Sequence, residues 1–150
     1  MRYFFILLTI FSSIDAISQQ KEDSVRAVIN KMFAAMKEGD GESLKSTFSD
    51  NAVLQTISRD REGKTIVLND TVAAFAEFVN HLKKDSADER ISFETIKIDG
   101  PLAMAWAPYN FYYNGKFSHC GVDCFQLVLL NNAWKIQYLI DTRRRTGCQP

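Results

Sequence analysis

An α+β domain is predicted for this chain by three observations: apolar residues at helical spacing in its first third, two-residue turn signals at Asn114 Gly115 and Asn131 Asn132, and apolar alternation along the segments those turns join. The 150 residues, 46% hydrophobic and 24% charged, suit one domain with its own core and leave no room for a second.

Val25, Val28, Ile29, Met32, Phe33 and Met36 recur at the spacing of one helix face, and Glu38 Gly39 Asp40 Gly41 ends that run. Residues 42–48 fit a short second helix, with Leu44 and Phe48 four apart. Residues 52–58 and 64–68 read as a hairpin around the charged stretch 59–63. Asp70 or Thr71 then caps a third helix striped by Ala74, Phe75, Phe78, Val79 and Leu82, and Lys83 Lys84 favour its C-terminal end. Residues 85–90 read as loop and 91–98 as a strand. From Gly100 to Thr142 three consecutive antiparallel strands follow.

The turns set a register. Pairing Tyr113 with Lys116 puts Asn110 opposite His119 and Trp106 opposite Asp123. Pairing Leu130 with Ala133 puts Asp123 opposite Ile140 and Phe125 opposite Tyr138. A single bulge would shift this alignment. On it, Trp106, His119 and Asp123 look into one hollow lined by Trp106, Asn110, Tyr112, His119, Asp123, Phe125 and Tyr138, with Trp134 adding to the aromatic surface. Ala103, Ala105 and Ala107 fall on the other side, a small-residue face suited to a second copy, so a homodimer is expected.

Lys plus Arg equals Asp plus Glu at 18 each, so no overall field favours nucleic acid or an anionic membrane. Arg2 precedes the apolar run 3–11, and Ala16 Ile17 Ser18 places small residues at alternate positions before Gln19: a signal peptide over residues 1–18 is expected, then one domain over 19–150. The run is about half of the roughly 20 residues a membrane span needs, so no membrane attachment is expected after cleavage. No cysteine follows the run to carry a lipid, and a periplasmic or secreted address is expected.

Cys120, Cys124 and Cys148 then lie where disulfides persist. The register favours Cys120 with Cys148, leaving Cys124 free, with Cys124–Cys148 as the alternative. No metal site is expected, because His81 and His119 have no partner at a recurring ligand spacing. Arg143, Arg144 and Arg145 read as solvated or paired with Asp141.

The element order, the break at Glu38 Gly39 Asp40 Gly41 and the closing strand Trp134 Lys135 Ile136 resemble the NTF2-like superfamily over nearly all of the chain from Gln19. Phe117 Ser118 His119 Cys120 Gly121 Val122 Asp123 and Asp141 Thr142 Arg143 Arg144 resemble its small exported members, grouped as SnoaL-like or "putative lumazine-binding" proteins. The resemblance implies a cone, a curved antiparallel sheet wrapped around the N-terminal helices, with a pocket between them and often a dimer. The fold hosts isomerases, dehydratases, cyclases, binding proteins and non-catalytic partners. Its steroid isomerases use a carboxylate base with a Tyr and a protonated carboxylic acid; here the first helix offers Met32, Phe33 and Met36, and no Tyr.

His119 and Asp123 are four apart on one strand, so they share a face, roughly 13 Å apart, and flank a ligand rather than form a dyad. Asp123 is the candidate base and His119 the candidate acid. The function expected is an exported domain that binds a small apolar or aromatic molecule without a cofactor. The alternatives are a cofactor-independent isomerase or dehydratase working through Asp123 and His119, and a dimeric, non-catalytic interaction module.

Overall fold

The computed structural model describes residues 11–149, with side chains from Gln19 onward. Of the expected leader, residues 1–10 lie outside the described residues, and the remainder runs on into the first helix. Among the described residues no helix is long and apolar enough to cross a membrane.

Helix α1 (Phe11–Glu38) buries Val25, Ile29, Met32, Phe33 and Met36 on one stripe, as their spacing requires. It stops where Asp40 N–H turns back to Ala35 O at 2.9 Å. Asp40 then caps α2 (Gly41–Lys45) by accepting from Ser43 N–H at 2.8 Å. Helix α3 (Val72–Asn80) is capped by Thr71, whose hydroxyl accepts from Ala74 N–H. Gly41 lies so close to α3 that a Cβ there would run into Ala76 O and the Asn80 side chain, and Asn80 Oδ1 accepts from Gly41 N–H at 2.8 Å. Only a glycine lets these two helices meet this closely.

Seven strands follow the helices or lie between them: β1 (Phe48–Arg59), β2 (Thr65–Asp70), β3 (Ala87–Ile91), β4 (Thr95–Asp99), β5 (Leu102–Tyr113), β6 (Lys116–Leu130) and β7 (Ala133–Arg144). Their order is β2-β1-β7-β6-β5-β3, with β4 on the same edge of β5 as β3. All neighbours are antiparallel except β1 and β7, so the sheet is mixed where a wholly antiparallel one was expected. No tight turn joins β1 to β7, and their relative direction is therefore free.

Segment 85–98 also departs from expectation. Residues 87–91 form β3 rather than a loop, and the single strand expected over 91–98 is two, interrupted around Ser92. The interruption lies opposite Pro108 of β5, which has no N–H to donate to an edge strand; Ser92 N–H instead bonds Pro108 O at 2.9 Å.

Both hairpin turns form as read, with positive φ at Asn114, Gly115, Asn131 and Asn132 and with Tyr113 paired to Lys116 and Leu130 to Ala133. The register beyond them does not. Ser118 is an extra residue in β6 between the pairs Phe111–His119 and Tyr112–Phe117, and Gln137 is an extra residue in β7 between Gln126–Tyr138 and Leu127–Ile136. Each bulge slips the pairing by one. His119 therefore faces Phe111 rather than Asn110, Asp123 lies between Ala107 and Asp141 rather than Trp106 and Ile140, and Phe125 pairs with Leu139 rather than Tyr138.

A one-residue slip exchanges the faces of a strand. Ala103, Ala105 and Ala107, expected to meet a second copy, are buried under the helices, whereas Trp106 is 41% exposed on the outer face beside Cys124. The core on the inner face joins Phe125, Leu127 and Ile136 to Ile29, Met32, Leu44 and Val79, with Phe33 edge-on to Phe125 at 6.1 Å.

Cys120 and Cys148 form a disulfide with Cα atoms 5.8 Å apart, tying the residues after β7 back onto β6. Cys124 is unbonded and half-buried.

Candidate functional site

Between the inner sheet face and helices α1 and α3 lies a cavity of about 250 Å³. Its helical side is apolar: Met32, Phe33 and Met36 come from α1 by the same stripe that builds the core, and Phe75 and Phe78 come from α3. Leu54 and Leu139 continue this surface on the sheet. The opposite end gathers polar groups from five strands: Asp70, Glu89, Tyr109, His119, Asp123, Asp141 and Arg143.

At the centre of that end is an acid pair. Asp123 is 3% exposed, and its Oδ2 is buried with no hydrogen-bond donor as an ionised group. Glu89, half-buried on β3, lines the same cavity. Burial pushes the Glu89 carboxyl up to about 7. Burial likewise holds Asp123 well above the ordinary carboxylate range, reinforced by the charge of Glu89, by a hydrogen bond to it and by the charge of Asp141. Two buried acids that raise each other in this way titrate as a pair rather than as separate groups.

Around the pair the geometry is tightly specified. Tyr109 O–H donates to Thr142 O at 2.9 Å and lies 3.4 Å from Asp141 Oδ2. Its ring can lie there because Gly121 is beneath it: a Cβ at 121 would meet the phenol at 2.7 Å and collide with Thr142 O. Burial, with the charges of Glu89, Asp141 and Asp123, raises the phenol further and keeps it protonated. Asp141 accepts from Thr56 Oγ1 at 2.5 Å and from Arg143 Nε at 2.8 Å, so the guanidinium at the rim is already neutralised.

His119 packs edge-on against Tyr109 at 5.7 Å and tilts over Phe111 at 4.9 Å. Burial and then the Arg143 charge lower its pKa, which keeps the ring neutral at neutral pH. Nδ1 lies 3.1 Å from Ser118 Oγ.

Of the residues picked from the sequence, His119 and Asp123 line the cavity. Phe125 faces inward but is fully buried in the packed core beneath it. Trp106, Asn110, Tyr112 and Tyr138 are not in the lining. The slipped register turns all four to the outer face, where Tyr138 O–H bonds Gln55 Oε1 and Asn110 Nδ2 bonds Gln149 O. Trp134 is buried near the start of α1's described side chains, its Nε1 donating to Ser24 Oγ at 3.1 Å.

Glu89, Tyr109, Asp141 and Arg143 were missed. For Glu89 a signal existed: Ala87, Glu89 and Ile91 alternate with Asp88 and Arg90, a strand pattern masked by the density of charge. Among the described residues no group of three or more His, Cys, Asp or Glu is arranged to hold a metal ion.

The fold and cavity define a class, a cone-shaped α+β domain with an acid-lined hollow between sheet and helices. The family described as "Putative lumazine-binding" matches residues 20–138, and the chain belongs to it. Its fold is NTF2-like. A similar solved structure is an NTF2-like protein of unknown function from Shewanella baltica OS155 (TM-score 0.66, 16% identity, 85% of this chain and 96% of that one). Another, from Silicibacter pomeroyi DSS-3, is also NTF2-like and of unknown function (0.66, 18%, 85% and 98%). A domain of unknown function with a cystatin-like fold from Nostoc punctiforme PCC 73102 aligns with TM-score 0.65 at 21% identity, over 84% of this chain and 78% of that one. No curated protein matches the chain.

Proposed function

We propose that this protein is an exported domain that binds a small molecule in the cone cavity, its apolar or aromatic body against the α1 and α3 side chains and its polar end against Glu89 and Asp123. The buried, donor-less Asp123 Oδ2 carries this reading: an acid held there at the cost of desolvation needs a proton or a ligand to complete it. The family's name points the same way, toward a small heterocyclic ligand. Thermal shift and native mass spectrometry against aromatic, heterocyclic and polyketide-like compounds should yield ligands that stabilise the protein, and Glu89→Gln with Asp123→Asn should weaken them. A protein that binds nothing from such a set, or binds equally well without both acids, overturns the assignment.

The enzyme alternative is favoured by the acid pair. A carboxyl raised to about 7 exchanges protons at physiological pH, and Tyr109, from β5, supplies the phenol absent from α1. On this reading Asp123 and Glu89 transfer the proton, and His119, kept neutral, positions the ligand. Export over the leader 1–18 and a homodimer complete the proposal; the disulfide supports an oxidising address.

A further inference from the structure

We propose that the polar end of the ligand is a cation, an ammonium or similar N–H group that donates to the buried, unpartnered Asp123 Oδ2 and to Glu89 beside it in the cavity lining. This rests on the cavity reading and adds to it the sign of the ligand's charge.

Among the described residues four carboxyl groups face the cavity, Asp70 from β2, Glu89 from β3, Asp123 from β6 and Asp141 from β7, against one guanidinium, Arg143. Arg143 is held by Asp141 at 2.8 Å, which leaves the other three acids without a cation in the lining. His119 is neutral, Tyr109 is protonated, and α1 and α3 contribute only apolar side chains. Even with a proton held between Glu89 and Asp123 the lining keeps more acid than base, in surroundings that screen charge poorly. An anionic ligand is repelled. A neutral ligand leaves the shared proton in place. An N–H cation instead donates to Asp123 Oδ2 and Glu89 together, while the proton leaves to solvent, and the ring of Phe111, packed on His119 at the same polar end, accepts a nearby positive charge.

Phenylbutylamine, phenylbutanol and phenylbutyrate form a matched probe set of cation, neutral and anion whose bodies fit a cavity of this size. Calorimetry at about pH 7 in two buffers of different ionisation enthalpy reads both affinity and proton release. The amine should bind at least about tenfold tighter than the alcohol, and the carboxylate weakest; amine binding should release a proton fraction that alcohol binding does not. The amine's affinity should rise between about pH 5 and pH 8. Equal or tighter binding of the alcohol, or amine binding without proton release, overturns the cation and leaves the cavity reading standing. Binding of none of the three overturns both. In the Glu89→Gln, Asp123→Asn double variant the alcohol should still bind and the amine lose its advantage; should that variant not fold, the proton count on the unsubstituted protein decides alone.

Discussion

Glu89 and Asp123 line one cavity although their strands are not neighbours, since β5 runs between β3 and β6. Glu89 is level with Phe111 and Asp123 with Ala107 on β5, so it is the twist and curvature of the sheet that turn both side chains into one hollow. The site is thus a product of the same bulged, bent strands that close the fold around its helices.

The pair makes stability fall with rising pH. Unfolded, Glu89 and Asp123 have ordinary carboxyl pKa values; folded, both are raised, Glu89 to about 7. Between those values the folded state holds more protons, so its stability is fully present below the ordinary carboxyl range and is lost as pH rises toward about 7. The loss is on the order of a few kcal/mol. Urea midpoints measured from about pH 4.5 to pH 8 should decline, and Glu89→Gln should flatten the curve. A midpoint that climbs over this range would show that the pair is ionised in the fold.

Gly121 should prove as demanding as any core position. An alanine there drives a methyl into Thr142 O and the Tyr109 ring, and neither backbone nor packed phenol can yield freely. Gly121→Ala should cost about 2 kcal/mol or more. Tyr109→Phe removes the hydroxyl's bond to Thr142 O and its longer contact to Asp141 Oδ2, and should cost about 1 kcal/mol. Chemical denaturation of both variants checks the order.

Much of the fold was legible because its signals are local. Gly39, Asp40, Thr71 and the two Asn turns act through their own φ or caps, and each sits where its residue type predicts. The bulges at Ser118 and Gln137 carry no such mark, since either residue fits a regular strand. They decide which side chains enter the cavity, which is why His119 and Asp123, read on one strand, share the site, whereas Trp106, read across two strands, does not. Glu89 was hidden for another reason: three consecutive charged residues, Asp88, Glu89 and Arg90, look like solvated loop until their burial is known.

The disulfide closes a sequence separation of 28 residues. In the chain-entropy model that constraint stabilises by about 3.5 kcal/mol. Cys148→Ser should lower stability by an amount of that order, and the unsubstituted protein under reducing conditions should match it. Cys124→Ser, outside the bridge, should change stability by less than about 1 kcal/mol.

The outer sheet face gives the last prediction. Leu102 at 51%, Trp106 at 41% and Val53 at 45% are exposed there, with half-buried Met104, Tyr138 and Ile140 on the same face of β5, β7 and β1, and Cys124 and Gln126 of β6 lie between β5 and β7. Exposed apolar side chains clustered on one face are costly in water, and this face is the proposed dimer contact, in place of the alanine face that the helices cover. Trp106→Glu puts a charge on that face without touching the cavity, whose lining lies on the opposite face. Sedimentation velocity at micromolar concentration should find a dimer for the unsubstituted chain and a monomer for the variant, with cavity ligands bound equally by both. A monomeric unsubstituted chain would exclude this contact, and a variant that lost ligand binding as well would show that the two faces are coupled through the sheet.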